Sequence, residues 1–149
     1  MSPVEVNTVL VPVDGSDESV TAVEYAVGIA ERYDATVHVL YVLGEDAVRA
    51  IERGAVEEGD VADDTKAFLE SATAVGDDHG VETSTSIAYG YSVHRKLRHP
   101  GSVILDCAEE LDADFLVIPR EPIADGESDV LEKAAEYVLL YASQPVLSV

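Results

Sequence analysis

The stretch Thr8–Asp17, TVLVPVDGSD, decides the fold class of this chain. An apolar run rich in β-branched residues ends at an acid and a glycine, and residues suited to begin a helix follow at once. This order is typical of a buried parallel strand that passes into the N-terminus of a helix, the place where open α/β sheets bind their ligands. Asp14 and Gly15 are therefore the first candidates for a binding site.

Strand-like and helix-like segments alternate along the rest of the chain. Gly44–Gly59 is acidic and irregular, with a short helix around Asp46–Glu52 as one interpretation. Ser16 or Asp17 can cap the first helix. Parallel strands joined by helices need right-handed crossovers, which predicts one α/β domain over residues 1–149, a doubly wound parallel sheet with helices on both faces. The predicted strands are Val6–Val13, Thr36–Val42, Glu82–Ala88, Phe115–Ile118 and Val146–Val149, and the predicted helices are Glu18–Tyr33, Asp60–Asp78, Ser102–Leu111 and Asp129–Ala142.

The formal net charge is −21, from 30 Asp and Glu against 9 Lys and Arg. The acids are spread over every segment rather than collected in a tail, which indicates a solvated acidic surface. Such a surface suits a salt-rich cytoplasm, because charges are screened within about 3 Å at 1 M ionic strength. We therefore expect a salt-adapted source organism and a fold that weakens at low salt.

Cysteine usage and hydropathy bear on the compartment. The one cysteine, Cys107, cannot form an internal disulfide, and its position on an apolar helix face predicts a packed thiol rather than a nucleophile. No apolar run approaches the ~20 residues of a membrane-spanning helix, and the N-terminus carries no basic start and no apolar signal core. We therefore expect a cytoplasmic protein that does not associate with membranes.

With these elements placed, the chain resembles the universal stress protein family over essentially its whole length. The resemblance implies a five-stranded sheet in the order 3-2-1-4-5, and a homodimer. The last strand is short and apolar and is expected at a sheet edge, so we predict that the dimer pairs through it. The matching segments are VLVPVDGS at 9–16 with Ser19 and the helix alanines beyond it, VHVL at 37–40, ADFLVI at 113–118 and QPVLSV at 144–149.

The phosphate-binding loop of the family's ATP-binding branch is not recognisable here. In that branch the fourth strand ends in a glycine, followed by a second glycine and, further on, by a Gly-Ser or Gly-Thr pair. Counted without gaps from Ile118, those positions hold Pro119, Pro122, Glu132 and Lys133. Proline has no N–H for a phosphate, and Glu132 would bring a carboxylate beside it. We therefore predict a member without ATP and without a cofactor; the alternative is a switch of the same family that binds ATP or another nucleotide.

Two interpretations of Asp14 and Gly15 remain open. In the ATP-binding relatives the equivalent aspartate contacts the nucleotide, so the resemblance implies that Asp14 can hydrogen-bond an adenine or a ribose. The other interpretation is a strand-to-helix turn in which Asp14 accepts local backbone N–H groups. Because the phosphate loop is altered, any ligand site at Asp14 is predicted to be a remnant, or to take a small molecule without a triphosphate.

The segment His94–His99, HRKLRH, departs from the acidic pattern of the chain. It holds three of the 9 Lys and Arg and two of the 4 His, within the nine residues that separate Gly90 from Pro100. The family has a single residue there, so this is an insertion. One interpretation is a surface loop neutralised by neighbouring acids or by a dimer mate. The other is a site for a small anion or an acidic partner, with the charge supplied by Arg95, Lys96 and Arg98.

Several other classes of protein are disfavoured by particular residues. Nucleic acid is an unfavourable partner because the acidic surface repels phosphates. A signalling receiver domain needs an acceptor aspartate at the end of its third strand, where Ile87, Ala88 and Tyr89 stand here. A flavin-binding domain needs a phosphate loop where Asp17 and Glu18 stand. No catalytic triad or metal cluster is recognisable, so we predict a non-catalytic stress-response or regulatory protein rather than an enzyme.

Overall fold

The computed structural model describes residues 4–43, 53–54, 58–89, 100–119 and 129–149. Its strands form one five-stranded parallel sheet in the order β3-β2-β1-β4-β5, which confirms the predicted fold class and strand order. The short helix predicted around Asp46–Glu52 lies outside the described residues, and one domain over 1–149 stays a prediction. The elements are β1 (Thr8–Val13), α1 (Asp17–Tyr33), β2 (Thr36–Leu43), α2 (Glu58–Asp78), β3 (Thr83–Tyr89), α3 (Pro100–Glu110), β4 (Phe115–Ile118), α4 (Asp129–Tyr141) and β5 (Val146–Ser148).

Strand β1 is buried on both faces. Val9, Val11 and Val13 belong to a core that includes residues of α1 and α2. Leu10 belongs to a second core, on the opposite face, that includes residues of α3 and α4. Alternate side chains of a strand point to opposite faces, so a strand covered on both sides has an almost continuous apolar sequence. This is why the stretch from Thr8 to Val13 carries the fold signal.

Three helices begin earlier than predicted: α2 begins two residues earlier, at Glu58, and for the other two the reason is local chemistry. Helix α1 begins one residue earlier than predicted, because Ser16 is its N-cap and the Ser16 hydroxyl accepts the N–H of Ser19 at 3.2 Å. Of the two candidate caps, Ser16 is thus the one in use. Helix α3 begins two residues earlier than predicted, at Pro100. Proline suits the first helical position, where its missing N–H needs no partner.

The start of β1 is held by Asp114, which immediately precedes β4. The Asp114 carboxylate accepts the backbone N–H of Asn7 at 2.8 Å and of Thr8 at 3.0 Å. The Asp114 N–H donates in return to the Thr8 carbonyl at 2.9 Å. These contacts join positions 106 and 107 apart in sequence. Asp114 therefore ties the first strand to the fourth.

Helices α3 and α4 approach each other closely at Gly101. Gly101 is buried, and a Cβ added there would lie 2.6 Å from the Cβ of Tyr137. No side chain fits at that distance without a shift of one helix.

Among the helices of the described residues, none has the length and apolar character of a membrane span.

Candidate functional site

The turn after β1 lies where the strand order of the sheet reverses. Strands β2 and β3 lie on one side of β1, and β4 and β5 on the other. In open α/β sheets, ligands bind beside the carboxyl ends of the strands at such a point. Asp14, Gly15, Ser16, Ser19 and Tyr41 meet there, and we call this group the Asp14 corner.

Asp14 uses one of its carboxylate oxygens to form the turn. Its Oδ1 accepts the backbone N–H of Ser16 at 3.0 Å and the hydroxyl of Ser19 at 2.7 Å. The first contact is the aspartate turn that the sequence suggests, since Asp side chains often bond the backbone two residues further on. Both of these hydrogen bonds go to Oδ1, and Asp14 is only half-buried.

Ser19 joins the turn to the first turn of α1. Its side chain is fully buried, and its oxygen accepts the Asp14 backbone N–H at 2.9 Å. The hydroxyl of Ser16 lies 3.1 Å from it. Since the Ser19 proton goes to Asp14, the Ser16 hydroxyl is the donor in this pair. Ser19 thus donates once and accepts twice, which is the full capacity of a hydroxyl group.

Gly15 and Tyr41 are in close contact on the other side of the turn. Gly15 has a φ of +86°, and a Cβ there would lie 2.6 Å from the Tyr41 hydroxyl oxygen. That hydroxyl donates to the Asp14 carbonyl at 3.1 Å. Both the positive φ and the close approach require glycine, because other residues are strained in this conformation.

Tyr41 stays protonated in this environment. Burial raises the pKa of its hydroxyl above 10.0, and the Asp14 and Asp64 carboxylates raise it further, while a hydrogen bond with Thr65 acts in the opposite direction. The ring packs edge-on against Phe68, with the ring centroids 5.8 Å apart. Tyr41 is therefore a fixed hydrogen-bond donor that connects the corner to α2.

The chemistry available at the corner is hydrogen bonding. The Asp14 carboxylate can accept a hydrogen bond from a hydroxyl or an amino group of a ligand. Ser19 is fully buried and cannot reach a substrate, and Ser16 is only 8% exposed. Within the described ranges, no group of three or more His, Cys, Asp or Glu is placed to hold a metal ion.

The other predicted site residues fall in three places. Pro119 directly follows β4 and is buried. Glu132 and Lys133 lie in the first two turns of α4. The remaining ones, namely Pro122 and the basic residues Arg95, Lys96 and Arg98, lie outside the described residues.

Two further side chains, those of His38 and Cys107, are held within the fold. The His38 ring lies between two hydroxyls of β3, with Nδ1 2.7 Å from Ser84 Oγ and Nε2 2.7 Å from Ser86 Oγ. Burial lowers the pKa of His38 below 6.5. Burial and the nearby Glu110 carboxylate raise the pKa of the Cys107 thiol, which packs against the second core. A thiol held protonated is a poor nucleophile.

Sequence reasoning missed Tyr41, which contacts the turn at Asp14, and Thr65, which is hydrogen-bonded to Tyr41. A signal for Tyr41 was present, because the parallel register places it opposite Val13, the last residue of β1. For Thr65 there was none, since its position depends on how α2 packs over the sheet. Thr65 is 2% exposed in an acidic, mostly solvated part of that helix.

Comparisons with known proteins agree with this architecture. The profile described as the Universal stress protein family matches residues 5–149. A universal stress protein of Methanocaldococcus jannaschii is 29% identical over 150 residues, which cover 95% of this chain and 80% of that protein. A universal stress protein solved in complex with cAMP has a TM-score of 0.68 at 21% identity and 98% coverage of both chains. The universal stress protein of Archaeoglobus fulgidus in complex with dAMP has a TM-score of 0.64 at 24% identity and 96% coverage of both.

Proposed function

The chain belongs to the universal stress protein family, and from that premise we propose a non-catalytic stress-response or regulatory protein that does not bind ATP as the family's ATP-binding branch does. The observation that carries the proposal is Pro119, buried directly after β4. That branch has a glycine at this position. Proline cannot donate a backbone N–H to a phosphate, and its ring limits how closely a ligand approaches the chain.

The sequence beyond Pro119 also differs from that of the ATP-binding branch. Pro122, Glu132 and Lys133 replace the other small residues of the phosphate loop. A hydrogen bond to a charged group contributes about 1.5–3 kcal/mol, so one lost contact is tolerable and several are not. At Glu132 the sequence also has a carboxylate where that branch has a small residue.

Calorimetry with Mg-ATP in molar KCl tests the proposal. We expect no binding heat, and no nucleotide released from the purified protein on denaturation. A micromolar Kd that is lost in Asp14→Ala would contradict the proposal and place ATP at the Asp14 corner. Equal weak heats for the wild type and Asp14→Ala would indicate binding elsewhere, which leaves the proposal standing.

A second candidate is a switch of the same family that takes a nucleotide with a single phosphate. Two solved structures of similar fold contain cAMP and dAMP, and Asp14 can accept a hydrogen bond from a ribose hydroxyl or an adenine amino group. The same titration with cAMP and dAMP separates the candidates. Saturable binding of either one that disappears in Asp14→Ala favours the switch over the first proposal.

We also propose that the protein is a homodimer that pairs through β5. This strand lies at one end of the sheet order, and its residues are only half-buried. The adjacent end of α4 exposes three large apolar residues, since Leu139, Leu140 and Tyr141 are 54%, 69% and 66% exposed. An open apolar strand edge is a template for pairing, and self-pairing covers it.

Sedimentation in molar KCl tests this interface. Leu147 packs in part against the first core, so the circular dichroism spectrum is recorded beside the mass. With the spectrum kept, Leu147→Asp should halve the mass of the assembly. The matched control is Ile87→Asp, because Ile87 is an exposed apolar residue on β3 at the opposite end of the sheet. A mass that stays at the wild-type value in Leu147→Asp would exclude pairing through β5.

For Arg95, Lys96 and Arg98 we propose binding of an acidic partner or a small anion, with the protein acting in the cytoplasm. The support is the concentration of three of the 9 basic residues in one short insertion of an acidic chain. Anisotropy of a labelled polyglutamate peptide in 0.5 M KCl should show binding that the triple glutamine variant loses. Equal binding by both proteins would leave the insertion as a surface loop.

A further inference from the structure

The outward face of α1 carries exposed apolar residues that the fold does not bury. Tyr25 and Tyr33 are 51% and 45% exposed. Together with the half-buried Ile29 they line a shallow groove of about 370 Å³. Among the residues that the structure describes, those that line this groove all belong to α1, namely Glu24, Tyr25, Gly28, Ile29, Arg32 and Tyr33. The groove is therefore a property of one helix face, which we call the α1 face.

Gly28 lies at the centre of the α1 face, and nothing in the described chain requires a glycine there. It is exposed, it lies in mid-helix, and a Cβ added to it would meet no atom within 4 Å. Glycine is a weak helix former, so an exposed helical glycine lowers stability relative to alanine. The absence of a side chain at this point suits a second backbone that approaches α1 closely from outside.

The α1 face carries one acidic and one basic residue, which can pair with those of a second copy. Glu24 precedes Gly28 by four residues and Arg32 follows it by four, so both lie on the same side of the helix. In an antiparallel pair of α1 helices related by a twofold axis at Gly28, each Arg32 faces the Glu24 of the other copy. Such a contact buries the same patch on both copies, as twofold interfaces do.

We propose that the α1 face is a self-association surface whose occupant is the α1 face of a second copy of this chain. Gly28 marks the helix crossing, Glu24 and Arg32 form two reciprocal ion pairs, and Tyr25 and Ile29 exclude water beside them. An unrelated acidic partner would leave Glu24 opposed by like charge, whereas a second copy pairs both charges.

This contact is separate from the proposed pairing of β5. The residues of α1 opposite Gly28, such as Ala26 and Ala30, are fully buried against the sheet. A copy on the α1 face therefore lies above the sheet layer, while a copy paired through β5 lies beside it. Two contacts of different kinds link more than two copies, and they close as a tetramer when their twofold axes cross at right angles.

Sedimentation in 2 M KCl tests the proposal, because high salt screens the repulsion between copies that each carry −21. We expect a wild-type tetramer, a dimer for Gly28→Gln, a dimer for Leu147→Asp and a monomer for the double variant. Gly28→Gln should also raise the Tm of the separated subunits, since glutamine is a better helix former and has open space there. A loss of mass together with a higher Tm distinguishes a broken interface from a damaged fold.

Two further sets of variants test whether the contact is specific to Gly28 and whether Arg32 faces Glu24 of the other copy. The control Gly59→Gln replaces another exposed helical glycine with open space around it, in α2, and should keep the wild-type mass. Arg32→Glu should weaken the α1 contact, and Glu24→Arg combined with Arg32→Glu should restore it; both are measured in 0.5 M KCl, because 2 M KCl screens the ion pairs as well.

The outcomes separate this inference from the proposal for β5. Gly28→Gln with an unchanged mass, or a wild-type dimer that Leu147→Asp converts to monomer, would overturn the α1 contact. A wild-type dimer that Gly28→Gln converts to monomer, and Leu147→Asp leaves intact, would support the α1 contact and reject pairing through β5.

Discussion

At the scale of single residues, the hydrogen bonds of Ser19 hold the Asp14 corner in place. Its hydroxyl donates to the Asp14 carboxylate and accepts the Asp14 N–H, so both ends of Asp14 depend on it. Helix capping by Ser16 is coupled to the same group, because the two hydroxyls are in contact. A side chain that does not contact solvent thus orients the Asp14 carboxylate.

We predict that Ser19→Ala lowers the free energy of unfolding by about 1–3 kcal/mol, the usual cost of leaving buried polar groups unpaired. Chemical denaturation in molar KCl measures this. The control is Ser71→Ala, at an exposed position of α2, where alanine is the better helix former and no loss is expected. Equal effects of the two substitutions would show that the corner does not depend on the Ser19 hydroxyl.

His38 predicts a dependence of stability on pH. Because burial lowers its pKa in the folded protein below 6.5, the unfolded chain binds the proton more readily. The free energy of unfolding therefore falls as the pH drops through 6.5 toward the folded pKa. His38→Gln removes this contribution, while the carboxylates titrate alike in both proteins.

The measurement for His38 is denaturation in molar KCl at pH 7.5 and at pH 5.5. The wild type should lose more stability than His38→Gln between these two values. Parallel losses in the two proteins would mean that the ring, held between Ser84 and Ser86, is protonated as easily in the folded state as in the unfolded one.

At the scale of secondary-structure elements, the contact between Gly101 and Tyr137 sets how closely α3 and α4 pack. We predict that Gly101→Ala destabilises the protein by about 1–3 kcal/mol, because an inserted methyl group has to displace a helix or a ring. The control Gly59→Ala has open space at its Cβ and should be neutral or stabilising. Thermal unfolding of both variants checks this, and a neutral Gly101→Ala would show that the helices can separate without cost.

The elements were predictable because their signals are local. The apolar run of β1 and the periodicity of α1 are properties of neighbouring residues, and both elements lie within two residues of their predicted bounds. The turn at Asp14 could be offered as one of two interpretations because it too depends on neighbouring residues, Asp14 and Ser16. The contact of Asp114 with β1 was not predictable from spacing, because it joins residues 106 and 107 positions apart.

At the scale of the whole molecule, the net charge of −21 dominates. Acidic side chains line the exposed positions of α1 and α2, and they repel one another in the folded state more than in the expanded chain. The screening length falls from about 10 Å at 0.1 M to about 3 Å at 1 M ionic strength. Stability is therefore expected to depend on salt.

We predict that the Tm rises steadily as KCl increases from 0.1 M to 2 M at pH 7.5. The control is the same series near pH 4, where about half of the carboxylates are protonated and screening has less repulsion to remove. A Tm that does not respond to KCl at pH 7.5 would exclude charge repulsion as a limit on stability and remove the reason to expect a salt-adapted source.

The tie between Asp114 and the first strand has a consequence for synthesis of the chain. The start of β1 is made before Asp114, and the bonds between the two close loops of 106 and 107 residues. At about 5–20 residues per second, the ribosome needs several seconds to deliver that partner. During this time an apolar segment that ends up at the centre of the sheet is open to the wrong neighbours, and the acidic helices that follow it offer repulsion between nascent chains as protection.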